Sequence, residues 1–258
     1  MADHPFPGPD TLCEACGYSL QGLGADQACP ECGSPVRDSD PARRVGLPWQ
    51  DSISFGSWLR TVRAIVFSPA SSFRHMRVDG SNRNPRLFLF TFVVLIGLLW
   101  AVVSRIGQLP VISLQALAAA TAVLGMTYIE ALGVAYFSRR RAWRVPWRLA
   151  ERIVCYASVG WVPAGLVMVT LWVLHHHGTL ERWWPTPWGP WTADKAMALF
   201  VLVGTVSILG FETLVWLAVR QTRFANSGRL TCPGLTPGVA ANDGHTGPGA
   251  APPGGPLD

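Results

Sequence analysis

Four long apolar runs dominate the 258-residue chain: Leu87 to Ser104, Val111 to Phe137, Ile153 to Leu174, and Ala196 to Val219. At 1.5 Å per helical residue each is long enough to cross a hydrocarbon layer of about 30 Å, the first only just. One such run would also suit the core helix of a soluble protein. Four in succession do not, because hiding them would need a far larger polar shell than the rest of the chain provides. Charged residues make up only 14% of the sequence. The pattern predicts an all-α membrane protein, a four-span transmembrane helical bundle with the lipid bilayer as its first partner. The first run starts too late for a cleavable signal peptide, so residues 1–86 are expected to stay attached.

Arginine placement sets the expected orientation. Thirteen arginines, in the groups Arg74 to Arg86, Arg139 to Arg152 and Arg220 to Arg229, flank the runs on the side that holds both termini. The opposite side has Arg105, Arg182 and Lys195. Positive charge accumulates on the cytoplasmic side of spans. Both termini are therefore expected in the cytoplasm, with the protein in a bacterial inner (cytoplasmic) membrane.

Ahead of the runs, residues 13–33 read CEACGYSLQGLGADQACPECG, two Cys-x-x-Cys-Gly turns separated by 12 residues. Cys13, Cys16, Cys29 and Cys32 have the spacing that closes a tetrahedral four-thiolate zinc site. Gly17 and Gly33 supply the positive φ that turns backbone N–H groups toward the sulfurs, and Pro30 presets the second turn. A disulfide pair, an iron–sulfur cluster and a redox dithiol compete with this reading. With every ligand a cysteine, no position is open to water or substrate, so a bound Zn2+ would be structural. A reducing cytoplasm keeps the thiols free to hold it. Cys155 lies in an apolar run and Cys232 near the C-terminus, neither with a partner at ligand spacing. The stretch resembles the zinc ribbon found at the N-terminus of many bacterial proteins, which implies a small β-hairpin clip and no activity.

Between ribbon and spans, SISFGSWLRTVRAIVF places Phe55, Trp58, Leu59, Val62, Ile65 and Val66 at helical spacing with Arg60 and Arg63 off that face, the pattern of an interfacial amphipathic helix. Ser68 and Pro69 then open a second short helix carrying Phe73 and Met76. The expected organisation is a zinc ribbon at 1–40, linker and interfacial helices at 41–84, the four-span domain at 85–224, and a Gly/Pro-rich disordered tail at 225–258. The strings FSPASSFRHM, NPRLFLFTFVVLIG and ERIVCYASVGWVPAGLV, with Tyr156, Ala157 and Pro163, resemble the Yip family of multi-span membrane proteins. The resemblance covers residues 55–220 and implies an all-helical fold. That family usually has five spans, and only its fold is carried over.

Two carboxylates fall within the runs, Glu130 in the second and Glu212 in the fourth, nine and eight residues before Arg139 and Arg220. They are expected at one depth, roughly 12 Å from the inner boundary. An intramembrane acid suggests an ion or proton path, while a hydrogen-bonded pair or contact with the inner arginines would make it structural. His175, His176 and His177 stand beside the belt of Trp183, Trp184, Trp188 and Trp191, where a metal role would need further ligands. Pro163 is expected to kink the third span, with Gly160 and Ala164 permitting close helix contact. No catalytic constellation is present. The sequence points to a non-enzymatic membrane scaffold presenting a cytoplasmic zinc ribbon to a protein partner, with transport through Glu130 and Glu212 as the alternative. Nucleic acid is an unsuitable partner, because residues 1–36 carry no Lys or Arg beside Asp3, Asp10, Glu14, Asp26 and Glu31.

Overall fold

The computed structural model describes residues 6–7, 10–103, 109–162 and 193–226. They form α1 Pro48–Asp51, α2 Phe55–Phe67, α3 Pro69–His75, α4 Arg83–Val103, α5 Leu109–Arg140, α6 Trp147–Ala157 and α7 Ala193–Thr222, with 3-10 turns at Val36–Ser39, Pro41–Arg43 and Ser158–Trp161. No strand occurs among the described residues, so the helical expectation stands. The expected β-hairpin is reduced to two isolated antiparallel bridges, Leu12 with Ser19 and Ala28 with Pro35. Pro35 has no N–H to extend the second pairing. The readings of Pro163, Ala164, His175 to His177, the loop tryptophans and the tail beyond Asn226 lie outside the described residues.

The third apolar run supplies the centre of the fold. Helix α6 begins at Trp147, ahead of the run, and every residue from Leu149 to Gly160 is buried. It packs on α4, α5 and α7. After Ala157 the helix tightens into the 3-10 turn, where the Ser158 hydroxyl donates 2.7 Å to the Cys155 carbonyl and so competes with the α-helical ladder. Gly160 then lies against α7: a Cβ there would sit 2.7 Å from the backbone N and Cα of Phe211. The close contact expected of this glycine is thus made backbone to backbone. Phe211 completes it by stacking on Trp161, ring centroids 4.9 Å apart.

The outer faces of the long helices are apolar. Phe90, Val94 and Leu98 of α4, Ile129, Leu132 and Phe137 of α5, and Val206, Leu209 and Trp216 of α7 are all exposed. Patches of this extent on an isolated chain mark surfaces that meet something other than water. Within the described residues one stretch, Ala120–Arg140, is both long and apolar enough to cross a membrane, where four spans were expected. The third run is described only to Val162, which leaves its helical part too short to count.

Helix α2 forms as expected, one residue longer than the apolar pattern, with Ser54 accepting from the Ser57 N–H at its start. Its rotation is less obvious from sequence. Ser57, Thr61 and Ile65 are buried, while Phe55, Leu59 and Val66 face outward. Two tryptophans fix this: the Trp58 indole Nε1 donates 2.9 Å to Thr91 Oγ1 of α4, and the Trp49 backbone N–H donates 3.0 Å to Thr61 Oγ1. Helix α3 follows with Pro69 in its first turn, and Phe73 and Met76 are fully buried.

Candidate metal centre

The cysteine segment is an internal repeat with a 16-residue offset. The Cys13 N–H donates to Tyr18 O and the Gly17 N–H to Cys13 O; Cys29 and Gly33 repeat this with Ser34 O and Cys29 O. Leu20 N donates to Thr11 O as Val36 N does to Gln27 O, closing each knuckle. Gly17 and Gly33 take φ of 84° and 71°, the left-handed values their place after the second cysteine demands. Leu20 and Val36 occupy equivalent places beneath the site and pack with Cys13 and Cys29 into a small core, both fully buried.

The four Sγ atoms of Cys13, Cys16, Cys29 and Cys32 all lie within 4.8 Å of one another. Cys13 to Cys32 and Cys16 to Cys29 are each 3.6 Å apart. A disulfide would need about 2.05 Å. Four thiolates around one ion at metal–sulfur distances of about 2.3 Å have tetrahedral edges of about 3.8 Å, so the set fits a single tetrahedral ion. Burial pushes the Cys13 thiol up and the Cys16 thiol up to about 12. The Ser34 hydroxyl and backbone N–H bring Cys32 down to about 6. Burial thus opposes charging on one side of the cluster, and a bound cation is what would hold all four as thiolates. The cysteines expected to bind metal are therefore close enough to do so, and they leave no open coordination position.

Several elements seat this module on one end of the helical unit. Glu14, between the first two cysteines, receives a two-pronged ion pair from buried Arg44, Nη2 to Oε2 2.7 Å and Nε to Oε1 3.1 Å. The same guanidinium donates to Met76 O, 3.2 Å, and to Gln221 O in α7, 3.3 Å. Asn226 closes the joint: its Nδ2 donates 2.8 Å to Leu12 O and 2.8 Å to Ser39 O, its Oδ1 accepts from the Leu12 N–H, and its own N–H donates to Glu14. Arg144 donates to Asp10 O and Arg223 to Ala15 O. Ala225 and Asn226, placed by composition in a disordered tail, are buried in this joint. A Gly/Pro-rich sequence downstream hid them, since Asn226 acts through specific bonds and not through apolar periodicity.

The two knuckles differ at one point. A Cβ on Gly17 would meet the Phe224 ring at 2.8 Å, whereas one on Gly33 meets nothing within 4 Å. Gly33→Ala should therefore show only the cost of a left-handed alanine, about 1–2 kcal/mol. Gly17→Ala should add an overpacking cost of about 1–3 kcal/mol. Thermal melts of both variants test this, and Phe224→Ala should rescue Gly17→Ala while leaving Gly33→Ala unchanged. Equal melting shifts for the two alanines would refute the packing argument.

A second polar cluster escaped the sequence reading. Glu151 of α6, nearly inaccessible, accepts from Arg86 Nε and Nη2 at 2.7 and 3.0 Å, from Asn82 Nδ2 at 2.8 Å, and lies 3.4 Å from the Tyr128 hydroxyl. Burial pushes its carboxyl up, but these donors outweigh it and hold it below the usual range. Arg152 beside it is caged by the loop before α4, donating to the carbonyls of Arg77, Asp79 and Gly80 at 2.7 to 2.8 Å and to Asn82 Oδ1. Sequence analysis counted Arg86 and Arg152 only as orientation charges. The adjacent Glu-Arg pair at the mouth of an apolar run was the available signal.

Glu130 and Glu212 are brought near enough for their carboxyl groups to interact. Glu130 is half-buried and Glu212 exposed on α7. Equal depth was legible from their offsets to Arg139 and Arg220; the shared azimuth of α5 and α7 was not. Comparison of the chain with protein-family models, with curated proteins and with solved structures finds no match in any of the three.

Proposed function

We propose that this chain is a non-enzymatic integral membrane protein, a Yip-like four-span scaffold that carries a structural zinc ribbon on its cytoplasmic end for a protein partner. The observation that carries this reading is the closed four-thiolate cluster, which leaves a metal no reactive position. The outward apolar faces of α4, α5 and α7 support the membrane half of it. Pure protein should contain one equivalent of zinc. Iron in the site, or a folded ribbon without metal, would refute the zinc assignment. Both termini face the cytoplasm of a bacterial inner membrane. Cysteines introduced by Gly178→Cys and Ala142→Cys, in a background lacking Cys155 and Cys232, should react oppositely with a membrane-impermeant maleimide in intact cells. Labelling at position 142 from outside would reverse the orientation. The partner is sought by co-purification from mild detergent with the full chain and with one lacking residues 1–40. A protein captured equally by both would remove the ribbon from the scaffold role.

The closeness of Glu130 and Glu212 favours a second reading, transport of a proton or cation. Glutamine at both positions keeps hydrogen-bonding capacity while removing the ionisable groups. On the scaffold reading neither the parent nor the Glu130→Gln/Glu212→Gln variant gives flux in liposomes. A parental flux abolished by Glu212→Gln would replace the scaffold with a transporter.

A further inference from the structure

We infer that α2 is an in-plane membrane helix whose outward stripe, Phe55, Leu59 and Val66, lies at the headgroup–acyl boundary of an anionic bilayer, with Arg60 and Arg63 among the lipid phosphates. The inference rests on the membrane reading above. At 100° per residue the three stripe residues fall within about 40° of one another. Their exposures are 78%, 51% and 52%, unusual for large side chains on a helix that already has a packed face. The packed face is small and partly polar, Ser57 and Thr61 with Ile65, and sits about 140° around the helix from the stripe. The rotation is held: Trp58 is bonded to Thr91, stacked on Phe92 at 5.5 Å, and stacked by Phe55 from the solvent side at 6.1 Å.

Depth and charge identify the occupant. Thr91 lies four residues, about 6 Å, beyond Leu87, where the apolar run of α4 begins. Interfacial helices sit about 5–10 Å into the headgroup–acyl boundary. Exposed Phe90, where the apolar outer face of α4 starts, directly precedes Thr91, the residue that Trp58 of α2 reaches. Arg63 borders it and Arg60 lies further round, both exposed and neither in an ion pair among the described residues. A soluble protein partner would meet the stripe only by standing in the plane of the lipid headgroups. A phosphate-bearing lipid surface satisfies stripe and arginines together.

The test uses the full chain with p-benzoylphenylalanine placed at Leu59, or at Leu132 on the outer face of α5, in vesicles of equal phosphatidylglycerol and phosphatidylcholine. Irradiation followed by mass spectrometry should give lipid adducts at both positions. Phosphatidylglycerol should be enriched several-fold over its bulk share at position 59, falling to the bulk ratio in Arg60→Gln/Arg63→Gln. Adducts at 132 without adducts at 59 would overturn the inference and leave the membrane reading intact. No lipid adduct at 132 would overturn the membrane reading and the inference with it. Adducts at 59 at the bulk lipid ratio, unchanged by the arginine substitutions, would overturn the anionic assignment.

Discussion

Cys29→Ser is expected to abolish stoichiometric metal binding and unfold residues 13–33, the largest single effect the chain offers. Structural zinc in small modules contributes about 10–16 kcal/mol of apparent folding free energy, and among the described residues the core beneath this cluster is Leu20 and Val36 with Cys13 and Cys29, edged by the partly buried Phe6, Cys16 and Leu23. That core cannot sustain the segment alone. The long helices should persist, because their packing centres on α6, remote in sequence from the knuckles. Elemental analysis and amide exchange on detergent-purified protein check both halves: metal content falls from one equivalent toward none, and the amides of residues 11–36 lose protection while those of α6 keep it. A Cys29→Ser protein with a full equivalent of metal would show that the four thiolates are not the ligand set.

The second large effect is expected from Arg44→Ala. Arg44 and Glu14 are 4% and 13% exposed at the side chain, so removing the guanidinium strands a nearly buried carboxylate. Breaking one partner of a buried pair costs about 3–5 kcal/mol. It also orphans the Met76 and Gln221 carbonyls that the guanidinium satisfies. Metal should remain, since no ligand has changed, but the module should detach from α7. Exchange at the Leu12 and Asn226 amides, which bond across this joint, should rise by orders of magnitude without metal loss. Arg44→Met combined with Glu14→Gln should recover much of the stability, because the uncompensated charge is gone. Unchanged exchange in Arg44→Ala would mean that Asn226 and the Phe224 contact hold the module unaided.

What could be read in advance was what repeats locally. The two Cys-x-x-Cys-Gly turns carry ligand identity, spacing and the required glycines within 21 residues, and the structure gathers their sulfurs. The continuous apolar runs located α4, α5 and α7 to within a few residues, though each helix runs past its apolar run into polar sequence. Bonds across great sequence distance were not legible: Arg44 to Glu14 spans 30 residues and Asn226 to Leu12 spans 214. Each joins common residue types with no local pattern. The rotation of α2 shows the same limit, since the apolar face Phe55, Trp58, Leu59, Val62, Ile65 and Val66 was visible but its division into a buried and an outward part depends on the Trp58 indole and the Trp49 backbone N–H reaching hydroxyls.

The joint at Asn226 also imposes an order in time. The cysteine knuckles are made well before the carbonyl of Gln221, the ring of Phe224 and the side chain of Asn226 that receive them. At about 5–20 residues per second the interval is roughly 10–40 s. For that time the module can pair Glu14 with Arg44 but lacks the part of its seat that Gln221, Phe224 and Asn226 supply. Every helix between must be made before the knuckles and Asn226 meet. A nascent chain halted between residues 36 and 226 would carry an undocked module, so the seating of the cysteine segment records the completion of α7.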